Sequence, residues 1–113
     1  MEYKLKPTIY VSDNRIKKVI GDSNPLRLKM EGNQINTLKS ENPLFNSVEL
    51  IVINIEKQSD LNGYFDVSSL QDFNSLKYIY VQCHFNCSES QIQQFVRNAS
   101  SEMTIFFMNV NPS

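Results

Sequence analysis

The chain repeats part of its own sequence, and this repetition limits its possible folds more than any other feature. Residues 45–53 read Phe-Asn-Ser followed by an apolar run, and residues 73–81 read the same way 28 positions later. A weaker copy at residues 103–108 is displaced from the second by 27 positions. All three copies are rich in the β-branched and aromatic residues that favour strands. We therefore predict strands at 48–55, 76–83 and 103–110.

The segments between these strands carry helix signals. Residues 88–99 place apolar side chains at i, i+3, i+4 and i+7 on one helical stripe, and Ser88 followed by Gln91 fits a capping box. Residues 66–73 place apolar side chains three apart, which predicts a short helix or a 3₁₀ turn. Strands that alternate with helices pair in parallel through crossovers on one flank. The predicted fold class is therefore α/β, with a short parallel sheet of repeated strand-helix units.

The first 24 residues differ from the repeats. Residues 8–11 alternate, residues 12–14 are turn formers, and β-branched residues resume at 15–20, a pattern typical of a β-hairpin. A Gly-to-Pro segment at 21–25 then interrupts regular structure. A chain of 113 residues has room for one core. We predict a single domain, 1–113, in which an N-terminal β-hairpin cap, 1–24, precedes degenerate repeats, 25–113.

The apolar spacing follows the leucine-rich-repeat signature L-x-x-L-x-L-x-x-N/C-x-L. In the clearest copy, residues 28–38, the matching positions are Leu28, Met30, Asn33 and Ile35. Later units keep the apolar skeleton at Val48, Ile51 and Ile53, at Leu76, Ile79 and Val81, and at Met103, Phe106 and Met108. The asparagine position holds Asn33 and Asn111, but Glu56 and His84 occupy it in the two middle units.

In these features the chain resembles a degenerate leucine-rich-repeat protein with short, irregular repeats over residues 25–111. The resemblance implies stacked strand-helix units and a non-enzymatic role in protein–protein interaction. It also implies that the asparagine ladder of that family is interrupted at Glu56 and His84. The alternative is a small α/β sandwich with evenly spaced parallel strands, since a strand, a helix and two turns take about 25 to 30 residues in any case.

Alternation along the predicted strands assigns their side chains to two faces. One set is expected to face the core: Ile51, Ile53, Ile79, Val81, Phe106 and Met108. The opposite set is apolar too, and a patch of this kind marks a protein contact. The predicted partner-binding residues are Leu50, Val52, Tyr78, Tyr80, Ile105 and Phe107. In the alternative interpretation, residues 1–5 or the N-terminal hairpin cover this face and make it ordinary core.

The last predicted strand, 103–110, presents an open edge with no Lys, Pro or inward charge to prevent pairing. We therefore expect the partner to be a second copy, in a homodimer through 103–110, or another protein that adds a strand to this edge. A structural subunit of an envelope or secretion assembly is an alternative role for a chain that associates in this way.

Cys83, His84 and Cys87 are the residues that suggest chemistry. Their C-x-x-x-C spacing differs from the redox C-x-x-C, and no further Cys or His pair exists to complete a zinc site. We expect two separate thiols or, in an oxidising compartment, a local disulfide. The alternative function is a small thiol or redox protein centred on Cys83 and Cys87. His84 has no nucleophile at a suggestive spacing, so we predict no catalytic residue, no metal and no cofactor.

Charge and hydropathy bear on the remaining partner classes. Eleven basic and twelve acidic side chains give a net charge of -1, so we expect no nucleic-acid partner. No apolar run approaches the roughly 20 residues of a membrane-spanning helix. Residues 1–6 contain no apolar segment like that of a signal peptide, and the compartment stays open, export included. Asn86 and Asn98 each begin an Asn-x-Ser acceptor, which has meaning in a glycosylating host.

Overall fold

The computed structural model describes residues 7–12, 15–20, 24–32, 34, 38, 42–70 and 72–109. The strands are β1 Thr8–Ser12, β2 Arg15–Ile20, β3 Arg27–Glu31, β4 Leu50–Ile55, β5 Phe65–Asp66, β6 Tyr78–Cys83, β7 Val96–Arg97 and β8 Thr104–Asn109. One α-helix, α1 Glu89–Phe95, is found in the described ranges, with 3₁₀ turns at Pro43–Ser47, Gln58–Leu61 and Val67–Ser69. The protein is therefore a mixed α/β domain.

Six strands form one sheet in the order β2-β1-β3-β4-β6-β8. Only β1 and β2 are antiparallel, and every other neighbouring pair in this sheet is parallel. The short strands β5 and β7 form a second parallel pair. The parallel arrangement of the three repeated strands is thus confirmed, and their observed bounds are slightly shorter than predicted.

The repeated Phe-Asn-Ser triplets lie on top of one another. The rings of Phe45 and Phe73 are stacked with centroids 4.6 Å apart, and the side chain of Asn74 donates a hydrogen bond to that of Asn46. A backbone ladder also crosses the strand entries, because a carbonyl at each entry accepts from the next strand. The acceptors are Pro7, Leu26, Glu49 and Lys77. The two copies of the triplet therefore occupy equivalent places before the neighbouring strands β4 and β6.

The core lies on one side of the sheet. Two rows of inward side chains cross the parallel strands and belong to one hydrophobic cluster: Ile9, Leu28, Ile51 and Ile79, then Val11, Met30, Ile53 and Val81. The crossover segments supply Phe45, Phe65 and Phe95 to the same cluster. Because the crossovers pack on this core face, the opposite face of the sheet is left without a helical layer in the described residues.

The register of β8 differs from the prediction by one residue. Tyr78 lies opposite Thr104, an offset of 26 residues, so Ile105 lies opposite Ile79 and Phe107 opposite Val81. The prediction that Phe106 and Met108 face the core and that Ile105 lies on the other side was therefore wrong. Phe107 takes a core-row register position but lines the opposite face with Tyr78 and Tyr80. A one-residue slip moves every side chain of a strand to the other face.

The crossover predictions are confirmed near their starts. Ser88 caps α1, its hydroxyl accepting from the amide of Gln91 while the Gln91 side chain accepts from the amide of Ser88. The helix ends at Phe95 rather than continuing to residue 99, because Val96 adopts extended geometry and pairs with Phe65. Between β4 and β6 the expected 3₁₀ turn is present at Val67–Ser69.

At the amino-terminal side, β1 and β2 pair in antiparallel fashion, and β1 also pairs in parallel with β3. The strand β1 thus belongs to the same sheet as the repeats. The predicted turn residues Asp13 and Asn14, the segment 21–23, residues 1–5 and the ladder residues Asn33 and Asn111 lie outside the described residues.

Candidate functional site

The sheet face opposite the core carries an apolar groove, here called the groove face. In-register parallel pairing brings Val52, Tyr80 and Phe106 into one row across β4, β6 and β8, with Leu50 and Tyr78 in the row before it. The groove has a volume of about 550 Å³. It is lined by Leu50, Tyr78, Tyr80, Phe106, Phe107 and Met108.

Contacts among the aromatic side chains shape this groove. The Tyr78 and Phe106 rings lie 6.1 Å apart and are inclined by 31°. The Tyr80 hydroxyl donates to the Met108 sulfur at 3.5 Å, a weak contact. Tyr78, Phe106 and Met108 remain 42%, 48% and 53% exposed. Large apolar side chains with this exposure, gathered on one face, are typical of a contact surface.

Of the six predicted partner-binding residues, four line the groove: Leu50, Tyr78, Tyr80 and Phe107. Val52 shares the face, between the register positions of Lys29 and Tyr80, but it is only 4% exposed and does not line the groove.

Ile105 takes a core-row position opposite Ile79 and does not line the groove, although it is exposed at the end of the sheet. Phe107 also takes a core-row register position, opposite Val81, but it is exposed and lines the groove. Phe106 and Met108, which the sequence had placed toward the core, line the groove as well. The alternation within β8 is the same in either register, so strand composition carries no signal for this difference.

Basic residues border the groove on the same face, a feature that the sequence interpretation missed. Arg27 and Lys29 of β3 lie opposite Leu50 and Val52. The Arg27 guanidinium donates to the Thr8 hydroxyl at 3.1 Å, and the Lys29 ammonium lies 6.0 Å from the Tyr10 ring centroid. Along β3, Leu28 and Met30 are buried on the core face, which puts Arg27 and Lys29 on the opposite face. This alternation is the signal that would have identified the two cations.

Cys83 and Cys87 are joined in a disulfide, one of the two arrangements expected from the sequence. The bond links the end of β6 to the residue before the α1 cap, and both cysteines are buried. The Asn109 side chain holds this loop, accepting from the Cys87 amide at 3.0 Å and donating to its carbonyl at 3.2 Å. The arrangement is structural in character, since a buried disulfide offers little access to a redox partner.

Charged residues gather where β3, β4 and β6 end. Burial raises the pKa of Glu31 above its ordinary value, and the Glu56 and Asp60 carboxylates add to this rise while His84 opposes it. Glu56 and His84, which replace asparagine in the pattern predicted from the sequence, each donate a backbone hydrogen bond. The Glu56 amide donates to the Asp60 carboxylate at 3.3 Å, and the His84 amide donates to the Ile55 carbonyl. Among the described residues, no group of three or more His, Cys, Asp and Glu side chains is arranged to hold a metal.

Comparison of the chain with protein-family models, with curated proteins and with solved structures gave no match. Within the ranges that the structure describes, no helix has the length and apolar character needed to cross a membrane.

Proposed function

We propose that this protein is a non-enzymatic protein–protein interaction module that binds through the groove face and through the exposed edge strand β8. One observation carries the proposal. The groove gathers the exposed side chains of Tyr78, Phe106 and Met108 on a sheet face that no described helix or loop covers.

The exposed area is large enough to matter energetically. Covering these three side chains removes on the order of 300 Å² of mostly apolar surface from water, about 7 kcal/mol at the usual coefficient. Association itself costs several kcal/mol or more in lost freedom. The groove therefore supplies a central anchor for a complex, with further contacts needed around it.

The border of the groove favours a particular partner chemistry. Arg27 and Lys29 lie beside Leu50 and Val52 on the same face. Positive charge next to an apolar groove favours a segment with apolar or aromatic side chains and acidic residues beside them, because complementary charge steers association and sets its register.

The edge strand supports self-association as the form that this binding takes. All six residues of β8 are exposed, none of them is charged, and among the described strands only β6 pairs with it. Two copies of a neutral strand pair about a two-fold axis without charge repulsion. The proposed partner is accordingly a second copy of this chain, joined through β8.

Leucine-rich-repeat-like architecture is part of the same proposal. It is supported by the stacked triplets, by the backbone ladder at the strand entries and by the second, short sheet of β5 and β7. In this arrangement the β1–β2 hairpin acts as the terminal cap, since β2 is the outermost strand on that side. Terminal caps protect the open end of a repeat array.

The alternative functions have less support. A thiol or redox role would require access to the sulfurs, and both cysteines are buried in a disulfide. A structural subunit of a larger assembly uses the same edge as the homodimer, and is distinguished by growth beyond the dimer.

Sedimentation velocity over a wide range of protein concentration tests the proposal. The wild type is compared with Phe106→Glu, which puts a charge into the groove, and with Tyr64→Glu as the matched control. Tyr64 is an exposed aromatic residue outside the groove lining. We expect a concentration-dependent dimer for the wild type and for Tyr64→Glu, and at least a tenfold weaker dimer for Phe106→Glu with unchanged circular dichroism.

A wild type that stays monomeric at the highest concentration would refute self-association. The groove itself is tested separately by selecting binders from a displayed peptide library. Apolar peptides with acidic flanks should bind the wild type and lose at least tenfold affinity for Phe106→Glu. A selection that yields no binders, or binders indifferent to this substitution, would refute the groove as a binding site.

A further inference from the structure

Two asparagine side chains stand at acceptor sequences for N-linked glycans. Asn86-Cys87-Ser88 and Asn98-Ala99-Ser100 match the Asn-x-Ser pattern, and both asparagines are exposed. Asn98 lies in the loop after β7 with a φ of 61°, a conformation that asparagine tolerates better than most residues. Its side-chain amide donates to the Asp66 carboxylate at 3.0 Å. A glycosylated amide nitrogen retains one hydrogen, so this bond is compatible with an attached sugar.

The disulfide is an independent observation that points to the same compartment. Cys83 and Cys87 are the two cysteines of the chain, and they are bonded to each other. Disulfides persist in the secretory pathway and outside the cell, and are rare in the reducing cytosol. In a eukaryotic cell the pathway that forms them also transfers glycans to exposed Asn-x-Ser sites.

Neither acceptor lines the groove. Asp66, the partner of Asn98, belongs to β5, which pairs with β7 beside the core cluster of Phe65 and Val96. Asn86 precedes Cys87, which is a member of the same cluster. Sugars at these positions would sit beside the crossover layer, and neither asparagine is among the residues that line the groove.

We propose that Asn86 and Asn98 are N-glycosylation sites of a secreted or cell-surface protein. The donor is a lipid-linked oligosaccharide with a pyrophosphate leaving group, supplied with its transferase by the secretory pathway. The asparagine Nδ2 forms a bond to the anomeric carbon of the first sugar while the bond from that carbon to the phosphate oxygen breaks. Nδ2 loses one proton, the lipid pyrophosphate leaves with the electron pair, and no oxidation state changes. The inference does not depend on the proposed partner.

The test is to secrete the full chain from cultured eukaryotic cells behind a cleavable signal peptide. Peptide mass spectrometry follows, before and after an amidase that releases the glycan and leaves Asp in place of Asn. We expect the wild type to lose two glycan masses, Asn86→Gln and Asn98→Gln to lose one each, and the double variant to lose none. Ser88→Thr and Ser100→Thr keep the acceptor pattern and should keep both glycans.

Secreted wild type whose mass does not change on treatment would overturn the proposal. A sugar on one asparagine alone would overturn the assignment of the other. Thiol-labelling of the same sample without reductant checks the compartment argument. We expect no label, and labelled cysteines in the secreted chain would remove that support and contradict the proposal.

Discussion

The ring of Phe45 stacks on the ring of Phe73 with centroids 4.6 Å apart and planes inclined by 18°. Both rings are buried in the core cluster, and they precede β4 and β6 in the chain. The contact therefore joins the two crossover segments at equivalent positions before neighbouring strands.

Truncation of either ring should destabilise the fold strongly. We expect Phe45→Ala and Phe73→Ala each to lower the free energy of unfolding by about 3–5 kcal/mol, since each leaves a large cavity in the core. In a double-mutant cycle the two changes should couple by about 0.5–1.5 kcal/mol. Once one ring has been removed, truncation of the other no longer costs the stacking contact between them. Urea denaturation measures all four proteins. Strict additivity would contradict a direct contact, and Phe45→Leu provides a milder variant if the double mutant fails to fold.

The bond pair between Asn109 and Cys87 should anchor the end of β8. We expect Asn109→Ala to lower the free energy of unfolding by about 1–2 kcal/mol, because it removes two hydrogen bonds. It should also speed amide hydrogen exchange across β8 more than across β4. Asn109→Asp keeps the oxygen that accepts from the Cys87 amide but loses the donor to the Cys87 carbonyl. Its free energy of unfolding should therefore lie between those of the wild type and Asn109→Ala. Equal stability of all three proteins would show that this contact does not hold the strand.

Truncations along one core row should reveal where the covered part of the sheet ends. Ile79 is fully buried while Ile105, its register partner on β8, is 39% exposed. At concentrations where the protein is monomeric, Ile79→Ala should cost about 2–5 kcal/mol and Ile105→Ala less than about 1 kcal/mol. The cost of Ile105→Ala should rise with concentration if a second copy covers β8. Equal costs in the monomer would mean that β8 is covered by the chain itself.

The raised pKa of Glu31 predicts a pH dependence with a definite sign. Its causes are burial first, then the Glu56 and Asp60 carboxylates. A carboxyl whose pKa is raised by folding binds its proton more tightly in the native state, so stability falls as the pH rises from about 4.5 through the folded pKa.

Glu31→Gln removes the titrating carboxyl and with it this pH dependence of stability. As the pH rises from about 4.5 through the folded pKa of Glu31, the wild type should lose stability relative to Glu31→Gln. The shift should be within about 0.5 kcal/mol for this partly exposed side chain. Urea unfolding at pH values on both sides of 4.5 measures it. Glu56→Gln removes one cause of the raised Glu31 pKa, so it should weaken the pH dependence. If the wild type instead gained stability relative to Glu31→Gln as the pH rises, the predicted direction would be contradicted.

Several local features were predictable from the sequence. Ser88 and Gln91 announced the start of α1, because a capping box depends on residues three positions apart. Residue types and period predicted β4, β6 and β8 as parallel neighbours. The alternation of β4 and β6 placed Leu50, Tyr78 and Tyr80 together, since side chains of a strand alternate regardless of what surrounds it.

Other features were decided by the tertiary structure. The helical stripe runs to residue 99, but pairing of Val96 with Phe65 ends α1 early. The sequence left the two cysteines either separate or joined, and the fold brings them together between a strand end and a helix cap.

What the sequence alone determined was the strand content of β4, β6 and β8 and the cap of α1, because these follow from interactions within a few residues. The tertiary structure decided the face that each β8 side chain occupies. Register is set by pairing with β6, and the observed offset of 26 residues puts Ile105 in a core row and brings Phe106 and Met108 into the groove beside Phe107.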